Sequence, residues 1–236
     1  MNKEGDRERQ YMNRIGVILD HLYGEGRPPA KVKQQEAPYD GGNKKTEGDF
    51  VNPQGVTEAP VRLNTAYYDL TEQHGGLTPV VGVTYLWVVR ADDGHLIVGV
   101  EDPSQMPTAF GVDVRDVVRA MQARKKELGE EVPSDNVLDG LGHTTLAAKF
   151  TPSGEAVPGR GRIAGELAAH GAGWKINDHS GRYTSGRSEV LPFLINAASE
   201  FQGHGIDVKY IQSKTAFQDQ IKTFEEVLAT SKPAKL

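Results

Sequence analysis

The sequence predicts an α+β fold: a mainly antiparallel sheet with helices packed on one side, preceded by an N-terminal helix and an extended arm. Three observations predict it. A β-branched and aromatic run, Val80-Val81-Gly82-Val83-Thr84-Tyr85-Leu86-Trp87-Val88-Val89, is answered by Leu96-Ile97-Val98-Gly99-Val100 across an Asp92-Asp93-Gly94 turn, as in a hairpin. Further short extended runs follow one another through glycine links. The helical patterns fall in separate places rather than alternating strictly with strands.

The first element is a helix. Tyr11, Ile15, Ile18, Leu19 and Leu22 recur at three- and four-residue spacing and Gly24 stops them, giving one apolar stripe over residues 1–23. Its polar face mixes acids and bases, which does not suit a membrane surface. From 24 to 64 breakers dominate, among them Pro28-Pro29, Gly41-Gly42-Asn43 and Asn52-Pro53-Gln54-Gly55, with few apolar residues. Such a stretch buries too little to offset its ordering entropy and reads as a linker or arm. The folded α+β domain is expected over 65–232. After the hairpin, Val114, Val117, Val118, Met121 and Leu128 outline a helix capped by Asp113 and ended by Gly129. His143 to Phe150, Arg162 to Leu167 and Trp174 to Asn177 read as strands, the last two joined by Gly171-Ala172-Gly173. Leu191, Leu194, Ile195, Ala198 and Phe201 mark the next helix, with Ser188 as cap. Ile206 to Ile211 alternates as a strand, and Phe217, Ile221, Phe224 and Leu228 predict one last helix.

Composition bounds the function. The 236 residues contain no cysteine, which excludes disulfides, thiolate metal sites and a Cys nucleophile. No run approaches the roughly 18 unbroken apolar residues of a membrane helix, and the charged start predicts no secretory signal. A net charge of −5 disfavours nucleic acid as a partner. His170 and His179 lack the close spacing of a histidine metal pair, so no metal site is expected.

The chemistry concentrates in Asn177-Asp178-His179-Ser180-Gly181-Arg182-Tyr183, which reads either as a polar turn or as a binding loop. With neighbouring strands, His143, Glu166 and Tyr183 would converge as base, acid and phenol, flanked by Thr144, Thr145, Asn177, Ser180, Gly181 and Arg182 as binding groups. A second arrangement is that of an ADP-ribosyltransferase using NAD. It would take Arg90 or His143 as the early residue, Tyr183-Thr184-Ser185 in the middle and Glu225-Glu226 late.

The order hairpin, Gly142-His143-Thr144-Thr145-Leu146-Ala147, Ala164-Gly165-Glu166-Leu167 and Ser180-Gly181-Arg182-Tyr183 resembles a segment of bacterial polymorphic toxin and effector C-terminal domains, shared with plant IQ-motif calmodulin-binding proteins. The likeness covers roughly 85–208 and matches His143, Glu166, Ser180, Gly181 and Tyr183; Arg182 stands where that family has histidine. Calmodulin binding does not carry over, because Ile211-Gln212 lacks the spaced arginines. The resemblance implies a domain made in a bacterial cytoplasm and secreted or delivered to a target cell. Its partners would be a protein target, a chaperone or a cognate immunity protein. A non-enzymatic immunity or adaptor module fits the same composition.

Overall fold

The structure is a computed structural model that describes residues 14–28, 67–72, 77–100, 105–111, 143–147, 149–150, 156–157 and 159–231. Seven strands form one sheet in the order β1-β3-β2-β6-β7-β8-β9. They are β1 (Tyr67–Asp69), β2 (Tyr85–Arg90), β3 (Leu96–Val100), β6 (Gly161–His170), β7 (Gly173–Asn177), β8 (Val208–Gln212) and β9 (Ile221–Thr223). A separate two-stranded ribbon pairs β4 (Lys149–Phe150) with β5 (Ala156–Val157). All neighbours are antiparallel except β7 and β8. That parallel pair needs a crossover, supplied by helix α4 (Leu191–Gly203).

The β2–β3 hairpin forms as its residues require. Five residue pairs align from Tyr85↔Val100 to Val89↔Leu96, and Gly94 takes the left-handed φ of 75° that its turn needs. Alternation along β2 then feeds two cores. Tyr85, Trp87 and Val89 join Ile163, Leu167 and Ile176, over which α4 lays Leu194, Ala197, Ala198 and Phe201. Helix α1 (14–23), α2 (Met106–Phe110) and α6 (Phe224–Thr230) pack on this same face through Leu19, Leu22, Tyr23, Ala109 and Val227. Leu86 and Val88 point the other way, to Ile97, Ala164 and Tyr183, and there α3 (His143–Ala147) inserts Leu146 and Ala147. Burying each large side chain contributes about 1.5–3 kcal/mol. Among the described residues, the helices thus pack mainly on one face, and α3 packs on the other.

Three local expectations are corrected. His143–Ala147 is a short helix, not a strand. The β-branched threonines favour extension, but two apolar residues in succession are buried on one sheet face, which a helical turn achieves and a strand does not. The single C-terminal helix is instead α5 (Lys214–Phe217), β9 and α6, because Gln218 and Asp219 adopt φ of 51° and 69° and break it. Ser188 does not cap α4: its N-cap is Val190, without a side-chain bond. Residues 24–28, expected within the arm, pack against the sheet. Gly24 and Gly26 are buried, and Arg27 bridges to Gly161 by two backbone hydrogen bonds of 2.8 and 2.9 Å. The helix expected over 114–128 and the arm from 29 to 64 lie outside the described residues.

β6 has ten residues and β7 five, so β7 covers only the Leu167–His170 half of its neighbour. Past Asn177 the chain runs so close to β6 that a Cβ on Gly165 would lie 1.7 Å from the Asn177 carbonyl oxygen. Gly165→Ala should therefore cost at least about 2 kcal/mol by forced backbone displacement. Urea unfolding measures it, and a loss below about 0.5 kcal/mol would contradict this packing.

Candidate active site

Where β7 leaves β6, side chains replace the missing ladder. Thr184 Oγ1 donates to the Ala164 carbonyl at 2.6 Å and accepts from the Ala164 N–H at 3.1 Å. Asn177, only 2 % exposed, accepts through Oδ1 from the Glu166 N–H at 2.8 Å and the His179 N–H at 3.1 Å. Its Nδ2 donates to Glu166 Oε2 at 2.9 Å. One amide thereby fixes the Glu166 carboxylate and the start of the following loop.

The loop is stitched to the 213–219 segment beside it. Asp178 accepts from Ser213 Oγ at 2.7 Å and from the Lys214 N–H at 3.0 Å. His179 Nε2 donates to Asp219 Oδ1 at 2.6 Å, while its Nδ1 faces Glu166 Oε2 at 3.8 Å. The ring is 20 % exposed between carboxylates that are 30 % and 46 % exposed, so solutes reach it. The hydrogen bond from His179, its charge, and Lys214 hold the Asp219 carboxyl below the usual carboxylate range. Gln212 Nε2 also donates to Asp219 Oδ1, at 3.1 Å, and Gln212 accepts from Lys175 Nζ at 2.6 Å.

When Nε2 alone carries a proton, the one given to Asp219, His179 presents a lone pair at Nδ1. That lone pair and Glu166 Oε2 are both acceptors. The charged ring's own N–H, or a water donating one proton to each, satisfies both. This is the layout of an oriented general base with a second carboxylate across from it.

The other predicted residues divide. His143 lies on the Glu166 face, but its Nε2 donates to the Gly165 carbonyl at 2.8 Å and burial lowers its pKa, so it is a neutral donor holding the strand. Thr144 and Thr145 lie in α3, and their side chains are outside the described residues. Tyr183 does not enter a cleft. Its ring belongs to the second core, its hydroxyl donates to the Gly159 carbonyl at 3.0 Å, and burial pushes its pKa far up. Ser180 is buried and accepts from the Tyr183 N–H at 3.3 Å. Gly181 is exposed with open space at its Cβ position, and Arg182 is half-buried beside it. The convergence of imidazole, carboxylate and phenol is thus replaced by His179, Glu166 and Asp219.

Arg90 is elsewhere. It pairs in register with Gly161, five residues along β6 from Glu166, about 16 Å at strand rise. There its guanidinium binds Asp93 Oδ2 at 2.6 Å and Asp69 Oδ2 at 3.3 Å. Glu226 is engaged in a capping box with Thr223 at the start of α6. Both side chains are thus engaged in local contacts, apart from the Glu166–His179 array. Asp69, Glu72 and His95 bring ligand atoms within 4.8 Å of one another. Arg90 Nη2 sits 3.3 Å from Asp69 Oδ2 and 3.2 Å from His95 Nδ1, and so already supplies the cation those groups would attract.

No protein-family model, curated protein or solved structure matches the chain. No helix among the described residues is long and apolar enough to cross a membrane.

Because Asp219 titrates below its unfolded value, the stability it adds is present above the ordinary carboxylate pKa of about 4 and is lost as pH falls through its lowered value. His179→Gln should raise the Asp219 carboxyl titration midpoint toward the ordinary range, followed by carboxyl carbon NMR. An unmoved midpoint would show that the ring does not hold this carboxylate.

Proposed function

We propose that this chain is a bacterial effector or toxin domain catalysing a proton-assisted group transfer from a nucleotide or NAD-type donor. The observation that carries this reading is the partly exposed His179 ring, oriented by Asp219 and facing Glu166. An acceptor hydroxyl or water between Nδ1 and Oε2 gives its proton to His179 as its oxygen bonds to the electrophilic carbon of the donor. The leaving group departs with its bonding electrons; for NAD it is nicotinamide. Asp219 stabilises the ring's developing charge, and Glu166 accepts the second proton's hydrogen bond when water is the acceptor and can offset positive charge on a ribose. Asn177 keeps Glu166 aimed.

The reading is tested by expressing the chain in a bacterial cytosol and by incubating purified protein with NAD and cell lysate. Growth arrest and nicotinamide release are expected, both relieved by His179→Ala. General-base loss should slow release about a hundredfold or more, and Glu166→Gln should also impair it. Tyr183→Phe should leave the chemistry largely intact, since its hydroxyl is buried on a carbonyl. Harmless expression with intact NAD would instead support a second reading, an immunity or adaptor module. That reading draws on β9, an edge strand carrying exposed Ile221, with exposed Leu228 on the following helix, since sheet edges recruit partner strands.

A further inference from the structure

Three consecutive carbonyls after helix α1 are each met by a different arginine. Arg162 Nη1 donates to Gly24 O at 2.9 Å, Arg187 Nη2 donates to Glu25 O at 2.6 Å, and Arg160 Nη2 donates to Gly26 O. The next residue is itself an arginine, Arg27, bridged to Gly161 between Arg160 and Arg162. Four guanidinium-bearing chains are therefore gathered along one short stretch.

Among the described residues their charge is only partly paired. Arg162 pairs with Asp20, and Glu25 lies close enough to Arg187 to act on its charge. Arg27, Arg160 and Arg187 form no ion pair among the described residues. Arg162 and Arg187 are buried, whereas Arg27 and Arg160 are exposed at the rim. Burial, followed by repulsion from Arg27 and then Arg162, pushes the Arg187 pKa down to about 10, against a partial opposing pull from Glu25. This concentration stands out in a chain whose net charge is −5.

Neutral carbonyls satisfy guanidinium hydrogen bonds but do not neutralise their charge. A compact multivalent anion does both, and planar guanidiniums match tetrahedral phosphate oxygens in pairs. We propose that Arg27, Arg160 and Arg187 form an anion site for the phosphate groups of a small molecule carrying a di- or polyphosphate, with Arg162 supplying background charge. The site stands apart from the Glu166–His179 array and does not depend on it for its chemistry.

The probe is inorganic pyrophosphate, titrated calorimetrically into the full chain at about 0.15 M salt, where loose surface attraction is largely screened. Saturable one-site binding in the sub-millimolar range is expected. Arg27→Gln and Arg160→Gln, at exposed positions, should each weaken it about tenfold, roughly 1.4 kcal/mol, with unchanged melting temperature. Citrate, a carboxylate anion of comparable charge, should compete poorly. Absence of saturable binding, equal binding by both variants, or equal binding of citrate would overturn the proposal. Binding of duplex DNA with pyrophosphate excluded would also overturn it, in favour of a nucleic-acid backbone as ligand.

Discussion

The structure depends on an edge that one strand cannot finish. β6 is twice as long as β7, and its unpaired half carries backbone groups that burial would leave costly without partners. Asn177 and Thr184 supply those partners from side chains. Only glycine at 165 lets the departing chain lie that close. Everything distinctive about the polar loop follows from this substitution of side chains for a ladder.

The substitution also makes chemistry available. A regular strand beyond Asn177 would point its residues alternately into the two cores. The loop instead buries Ser180, Tyr183 and Thr184 against β6 and leaves His179 at the surface, between a carboxylate from β6 and one from the 213–219 segment. Asp219 takes the left-handed φ of 69° that aspartate tolerates, where the chain breaks between α5 and β9. At the loop's far end Arg187 Nε donates to the Tyr183 carbonyl at 3.1 Å while Nη2 reaches Glu25 O. The loop is thereby tied to the segment after α1, which belongs to the folded body rather than to a free arm.

The hairpin, the strands around Ala164 and Ile176, the α4 stripe and the β8 alternation were all legible, because each is local and periodic. The polar run from Asn177 to Tyr183 was legible as unusual, but not which of its residues faced inward. Turn-forming residues satisfy backbone and bind ligands with the same atoms, and tertiary packing decides between them. His179 stands out in the sequence as one residue of that polar run and as a poorly spaced metal ligand, not as an oriented base. Asp219 was hidden, because Phe217, Ile221, Phe224 and Leu228 keep helical spacing across the break. The available signal was Thr223-Phe224-Glu225-Glu226, a capping box announcing a new helix start at Thr223. The arginine grouping spans three separate stretches of sequence and becomes visible only once Arg27 lies beside Gly161.

The most direct measurement is amide hydrogen exchange, residue by residue, in the wild-type chain and in Asn177→Ala. The Glu166 and His179 N–H groups share one acceptor, Asn177 Oδ1. Both should lose protection together in the variant, while the Ala164 N–H, held by Thr184, keeps its own. Unchanged protection at Glu166 and His179 would mean that this amide does not complete the sheet edge, and the arrangement built on it would not stand.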